Sequence, residues 1–190
     1  KGYVKRIKLD AYKEQRRGGK GVIGSASKEE DFVEHLKIVS TYDNILLFGD
    51  KGRAYWKKAY EIPEGSRYSR GSNIVNFLSL KDERITAIIP VREFKDGYFL
   101  FMGTKKGLVK KVELNEFAKE RRGGKLAINL KDDELIDVLL TDGSKEIIIG
   151  TRNGIAARFK ESDVRVMGRN AAGVRGIHLK DKDSVVGLTI

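Results

Sequence analysis

The sequence predicts an all-β, blade-like repeat array, and three observations carry that reading. A unit of apolar strand, glycine turn and second strand recurs along the chain, a loop of cations and small residues follows each copy at intervals of roughly 50 residues, and convincing helical stretches are few.

The hairpin copies run from Ile45 to Tyr55 around Gly52, from Tyr98 to Val112 around Gly107, and from Glu146 to Phe159 around Gly154, with a truncated copy starting at Lys1-Gly2-Tyr3. Each sets β-branched and aromatic residues on both sides of a glycine that permits a tight turn. The cationic loops are Arg17-Gly18-Gly19, Arg70-Gly71-Ser72, Arg122-Gly123-Gly124 and Arg169-Asn170-Ala171-Ala172-Gly173. An apolar stretch follows the loop, as in Ile74 to Leu80 and Leu126 to Leu130, and then an acidic turn such as Lys81-Asp82-Glu83 or Lys131-Asp132-Asp133-Glu134. That pattern predicts about four strands per repeat and about four blades, each burying its faces on its neighbours. Lys28 to Leu36 is the best helical candidate, and Asn115 to Arg121 suits a single turn.

Composition narrows the partner. The 190 residues include 38 Lys plus Arg against 27 Asp plus Glu, a formal charge of +11, which favours a polyanion. With 40% hydrophobic residues the chain can bury a core. It has no cysteine, which excludes disulfides, thiolate metal sites and thiol nucleophiles. Its apolar runs, such as Ile45 to Phe48, are too short to span a bilayer, and no cleavable leader is visible at Lys1 to Ile7, so no membrane partner is expected.

The densest chemical statement is Gln15-Arg16-Arg17-Gly18-Gly19-Lys20-Gly21, which sets three cations beside three glycines. Glycines let backbone N–H groups approach one anion, while arginine presents a fork to phosphate oxygens and lysine a point charge. Related loops place Arg70, Arg121, Arg122, Lys125, Arg169 and Arg175 in candidate phosphate-binding positions. The strand cations Lys110, Lys111 and Arg158 rank lower, each equally readable as a solubilising charge.

All seven residues from Gln15 to Gly21 match the box that marks the C-terminal domain of the gyrase A family. The chain resembles that family along essentially its whole length, including Gly52-Arg53-Ala54-Tyr55-Trp56, Gly107-Leu108-Val109-Lys110-Lys111 and Arg158-Phe159-Lys160-Glu161-Ser162. The resemblance implies a β-pinwheel, a propeller-like disc whose blades exchange strands, with residues 1–190 forming one domain that supplies about four of the family's six blades and is incomplete at both ends. It implies a basic perimeter that wraps double-stranded DNA with little sequence preference, partnership with the rest of gyrase A and with gyrase B in a heterotetramer, and a cytoplasmic, nucleoid-associated location. It also implies no catalytic residue and no cofactor in this domain, which would be the non-catalytic part of an ATP-dependent type II DNA topoisomerase.

Two other readings remain. The topoisomerase IV counterpart resembles this family but usually carries a degraded or absent box, so the intact heptad favours DNA gyrase. A propeller-like scaffold could instead bind acidic protein partners through the same cations.

Other candidate sites carry little. His35 and His178 stand in no metal or triad spacing, Asp132-Asp133-Glu134 lacks the ligand ladder of a calcium loop, and there is no Gly-x-x-x-x-Gly-Lys-Ser/Thr nucleotide loop. Arg67-Tyr68 mimics the Arg-Tyr pair of type II topoisomerases but lacks the helical domain and magnesium carboxylates of that chemistry. Tyr55 and Trp56 are expected in blade cores rather than stacked on bases.

Overall fold

The computed structural model describes residues 2–11, 32–78, 80, 82–121 and 123–190. In chain order the elements are β1 (Tyr3–Val4), β2 (Asn44–Gly49), β3 (Arg53–Lys58), β4 (Ser72–Asn73), α1 (Ile74–Leu78), β5 (Ile85–Val91), β6 (Phe99–Thr104), β7 (Leu108–Glu113), β8 (Lys125–Leu126), β9 (Leu135–Thr141), β10 (Glu146–Thr151), β11 (Ala156–Lys160), β12 (Val174–Arg175) and β13 (Val185–Thr189).

The three hairpins expected from sequence are β2/β3, β6/β7 and β10/β11, turning at Gly52, Gly107 and Gly154 with φ of 78°, 86° and 81°. An L side chain rarely adopts that backbone, which is why glycine recurs at each tip. The first strand of each hairpin also pairs on its other edge with β5, β9 or β13, and each pairing shifts register at the same place, Phe48/Gly49, Gly103/Thr104 and Gly150/Thr151. Thr104 and Thr151 fill that bulge position, where their hydroxyls accept hydrogen bonds from the N–H of Leu108 (3.0 Å) and Ile155 (3.1 Å). Replacing Thr104, which is fully buried, with valine should leave the Leu108 N–H short of its acceptor. The expected cost is about 1 to 2 kcal/mol, read as a lower denaturant midpoint at unchanged slope.

Among the described residues the sheets run β1-β4, β5-β2-β3-β8, β12-β7-β6-β9 and β11-β10-β13. The fourth strand of a blade is therefore lent by the following repeat and is only two residues long: β4 pairs with β1, β8 with β3 and β12 with β7. The loan has a repeated anchor, because the carbonyl of the tip glycine accepts an N–H from the incoming segment. Gly2 takes Ile74 (3.1 Å), Gly52 takes Ala127 (2.8 Å) and Gly107 takes Gly176 (2.8 Å). An otherwise bare sheet edge is covered in this way.

The three later repeats keep the expected four strands each, but the apolar stretches that follow the loops are not themselves among them. The stretch Ile74 to Leu80 is a strand nowhere among its described residues, since Ile74–Leu78 forms one helical turn whose Leu78 is buried against the Ile45–Leu47 face. Of Leu126 to Leu130 only Leu126 belongs to a strand, and Ala127 and Ile128 are buried as irregular backbone. Lys28 to Asp31 lie outside the described residues, and residues 32–36 have no regular structure, with Phe32 and Leu36 each 81% exposed. A short amphipathic helix is marginal without a surface to bury its apolar face on, and no described residue covers it. The turn expected near Asn115 is present as a 3-10 turn at Leu114–Phe117.

The core lies between successive blades. One cluster joins Phe48, Ala87 and Ile89 to Leu100, Met102, Val112, Phe117 and Val138, and another joins Phe101 and Val109 to Ile147, Ile149, Val164 and Leu188. β5 packs on β9, and β9 on β13, so these strands form the inner series. The borrowed strands β4, β8 and β12 lie at the opposite edge of each sheet, together with the loops that precede them.

Candidate nucleic-acid interface

Each of the three described cationic loops docks on the blade before it through one glycine. Gly71, Gly124 and Gly173 have φ of 84°, 78° and 100°. A methyl group added there would lie 2.6 Å from the carbonyl oxygen of Val4, 3.0 Å from that of Ala54 and 2.5 Å from that of Val109. Only glycine allows such an approach, so these glycines set the structural register of the loops. The recurring arginines do not: Arg70 stands one residue before its glycine, Arg122 two, and Arg169 four. The periodic arginine of the sequence is thus a periodic glycine with cations scattered around it.

Two neighbouring loops converge on one residue, Glu116. Arg169 Nε donates to Glu116 Oε2 at 3.0 Å, and Lys125 Nζ donates to the Glu116 carbonyl at 3.1 Å. Burial lowers the Lys125 pKa, and Arg169, Lys119 and Arg121 push it the same way while Glu116 opposes them. Lys125 thus feels three other cations as well as Glu116, a concentration of positive charge that a nearby anion would relieve. Arg121 is exposed, and Lys125 and Arg169 are half-buried. Arg175 is exposed at the end of β12, and Arg70 is exposed with its guanidinium 3.9 Å from the centre of the Tyr3 ring. Arg122 and the heptad Gln15, Arg16, Arg17, Gly18, Gly19, Lys20, Gly21 lie outside the described residues.

Arg53 joins the interface without a sequence signal for that role. Its Nη1 donates to the Gly123 carbonyl at 3.1 Å, so it clamps the loop of the next repeat from β3. Its place directly after the tip glycine says nothing about a partner 70 residues away.

The strand lysines are not surface cations. Lys110 is wholly buried, and its Nζ donates to the carbonyls of Ala127 (2.8 Å), Arg169 (2.6 Å) and Ala171 (2.9 Å). Lys111 is also buried, donating to the Glu161 carbonyl at 3.0 Å from above the Phe99 ring. Strand alternation points one of the pair outward, but both faces of β7 are covered because a second blade packs on it. Arg158 is exposed, 3.8 Å from Glu146.

Tyr55 is buried among Ile45, Leu47 and Leu78, its hydroxyl donating to Glu83, and Trp56 packs at the margin of the neighbouring core. Tyr68 is exposed with the Arg67 guanidinium 5.7 Å from its ring centre. The acidic turn is a backbone device: Asp133 Oδ1 accepts from the N–H of Lys106 and of Glu134. Among the described residues no group of three His, Cys, Asp or Glu could hold a metal ion.

A family described as DNA gyrase C-terminal domain, beta-propeller, matches residues 1–40, 43–92, 98–142 and 145–190. The chain belongs to this family. Its four matched segments coincide with the four repeats, and the fold is the family's β-pinwheel, with strands lent between blades. The DNA gyrase A protein of Salmonella typhimurium is 52% identical over 191 residues, an overlap that takes in 100% of this chain and 22% of that protein. The chain therefore spans about a fifth of the length of the curated relatives it matches. The crystal structure of the C-terminal domain of DNA topoisomerase IV superposes with a TM-score of 0.81 at 34% identity, covering 98% of this chain and 57% of that one. A structure of the DNA gyrase A C-terminal domain superposes at 0.74 and 29% identity, covering 98% of this chain and 61% of that one.

Proposed function

We propose that this chain is the DNA-wrapping domain of a bacterial DNA gyrase A protein, binding duplex by its backbone along the outer edges of the blades and bending it so that the holoenzyme introduces negative supercoils. The single observation that carries this is the meeting of Lys125 and Arg169 on Glu116, from loops that the fold repeats at the same edge of successive blades. Bending 20 to 30 base pairs by 40 to 90° costs about 1 to 6 kcal/mol, and exposed ion pairs contribute under about 1 kcal/mol each. A repeated edge can offset that cost by releasing counterions from several phosphates at once. Relatives half identical to this chain are DNA gyrase A proteins, and the intact heptad points the same way, which favours this reading over the topoisomerase IV counterpart.

In this reading the domain binds and bends but does not cut. Strand cleavage and ATP use belong to the rest of gyrase A and to gyrase B in a heterotetramer, no cofactor is held here, and the assembly works on the nucleoid in the cytoplasm. Among the described residues no helix is long and apolar enough to cross a membrane. The test is end-to-end energy transfer on a dye-labelled duplex of about 30 base pairs. Addition of the protein should bring the duplex ends together at low salt, and the gain should vanish as salt is raised. Binding without compaction would instead identify a scaffold for acidic partners.

A further inference from the structure

We propose that Lys110, and Lys5 at the same place two repeats earlier, are positioning residues that hold the loop of the following repeat with its carbonyls turned inward and its amides turned outward toward a phosphodiester. The inference rests on the DNA-wrapping reading and adds to it the device that shapes the contact.

The correspondence between the two lysines is residue by residue. Lys5 Nζ donates to the carbonyls of Ser66 (3.0 Å), Arg67 (2.9 Å) and Ser69 (2.7 Å). Lys110 Nζ donates to those of Arg169 and Ala171, and to Ala127. Arg67 and Arg169 each stand four residues before the docking glycine, Gly71 or Gly173, and Ser69 and Ala171 each stand two before it. An ammonium group has three donors, and in both places three carbonyls fill them, at the buried Lys110 and at the half-buried Lys5 alike.

The fold alone does not call for this charge. Tyr55 and Ala157 occupy the same strand position in the other two hairpins, so a blade can be built there without a cation. What the lysine adds is the orientation of the loop. Among the described residues no peptide bond is cis, and a planar trans peptide points its N–H opposite to its carbonyl. The Arg169 carbonyl is held on the buried ammonium, and the Ala171 carbonyl on the ammonium and on the Asn129 N–H (3.1 Å), so the N–H groups of Asn170 and Ala172 face away from it. The intervening Ala171 N–H is taken by the Gly168 carbonyl (3.1 Å), so two alternate amides, with arginines beside them in the chain, are left to face an anion. In the Lys5 loop the N–H groups of Tyr68 and Arg70 take the same direction by the same geometry.

The test is Lys110→Met in the full-length polypeptide, a change that keeps the length of the side chain and removes its donors. Circular dichroism should show the fold retained, amide hydrogen exchange should quicken across residues 168–173, and duplex affinity should fall about tenfold, the effect of losing hydrogen bonds to a charged group. Retained fold with unchanged exchange at 168–173, or with unchanged affinity, overturns the proposal. Two arms keep the question open to refutation if that variant fails to fold. Lys5→Met should act in the same way on residues 66–71. In the unaltered protein, burial and the Arg169 guanidinium hold the Lys110 pKa down to about 8, so the ammonium discharges as pH rises from about 7 to 9.5 while fully exposed lysines stay charged; burial also lowers Lys125 and Lys5, so the profile is measured in Lys125→Ala as well. Affinity should fall several-fold over that range, and a flat profile counts against the proposal. Absence of any salt-dependent duplex affinity in the unaltered protein defeats the wrapping reading itself and is distinguishable from all of these.

Discussion

Replacing Arg121, Lys125 and Arg169 together with alanine should lower duplex affinity on the order of 100-fold at about 0.1 M salt and reduce the slope of log K against log salt by about 2 to 3. Each phosphate neutralised contributes a slope of about 0.9, so each contact is worth a factor of roughly eight between 1 M and 0.1 M salt. Three such contacts would multiply to several hundred, and the hold of Glu116 on Arg169 at 3.0 Å reduces the total. The measurement is fluorescence anisotropy over a salt series. Loss of affinity with an unchanged slope would mean that these cations shape the loops without touching phosphate. Alanine at Arg16, Arg17 and Lys20 should remove three further cations, abolishing supercoiling by the holoenzyme while sparing relaxation.

Gly173→Ala should destabilise the chain by on the order of 3 kcal/mol and weaken DNA binding through the same lesion. At φ of 100° an alanine is strained, and its Cβ would lie 2.5 Å from the Val109 carbonyl oxygen. Neither partner can yield cheaply, because Val109 is paired in β7 with both Gly103 and Val174. The loop must lift, which breaks the β12 pairing and carries Arg169 and Arg175 with it. Gly123→Ala is the control. It also has a positive φ, 82°, but nothing lies within 4 Å of the added carbon. Its cost should stay near about 1 kcal/mol, the backbone term alone. Equal losses at the two positions, measured by denaturant unfolding, would show that close docking contributes nothing.

Much of the fold is legible in the sequence because hairpins are local. The strands around Gly52, Gly107 and Gly154 announce themselves by apolar composition and a turn residue a few positions apart, and all three stand where expected. Residues 74–80 mislead because an apolar stretch of that length suits a strand or one helical turn equally, and the face it must cover, Ile45 and Leu47, is remote in sequence. Lys110 and Lys111 mislead for a related reason. Alternation along β7 predicts one exposed lysine, but whether a strand faces solvent depends on what the next repeat lays across it.

Sequence by itself determined that this protein is a basic, glycine-punctuated β repeat with cationic loops, since charge, turn residues and repeat spacing are properties of the chain in one dimension, and its motifs carried the resemblance to the gyrase A family. Tertiary structure alone decided which cations meet and which are sealed inside. Glu116 gathers Lys125 from its own repeat and Arg169 from 53 residues away, and Lys110 reaches 61 residues to Ala171. Such contacts follow from two-residue strands lent between blades, and a pairing that short leaves no pattern in the sequence that could reveal its partner.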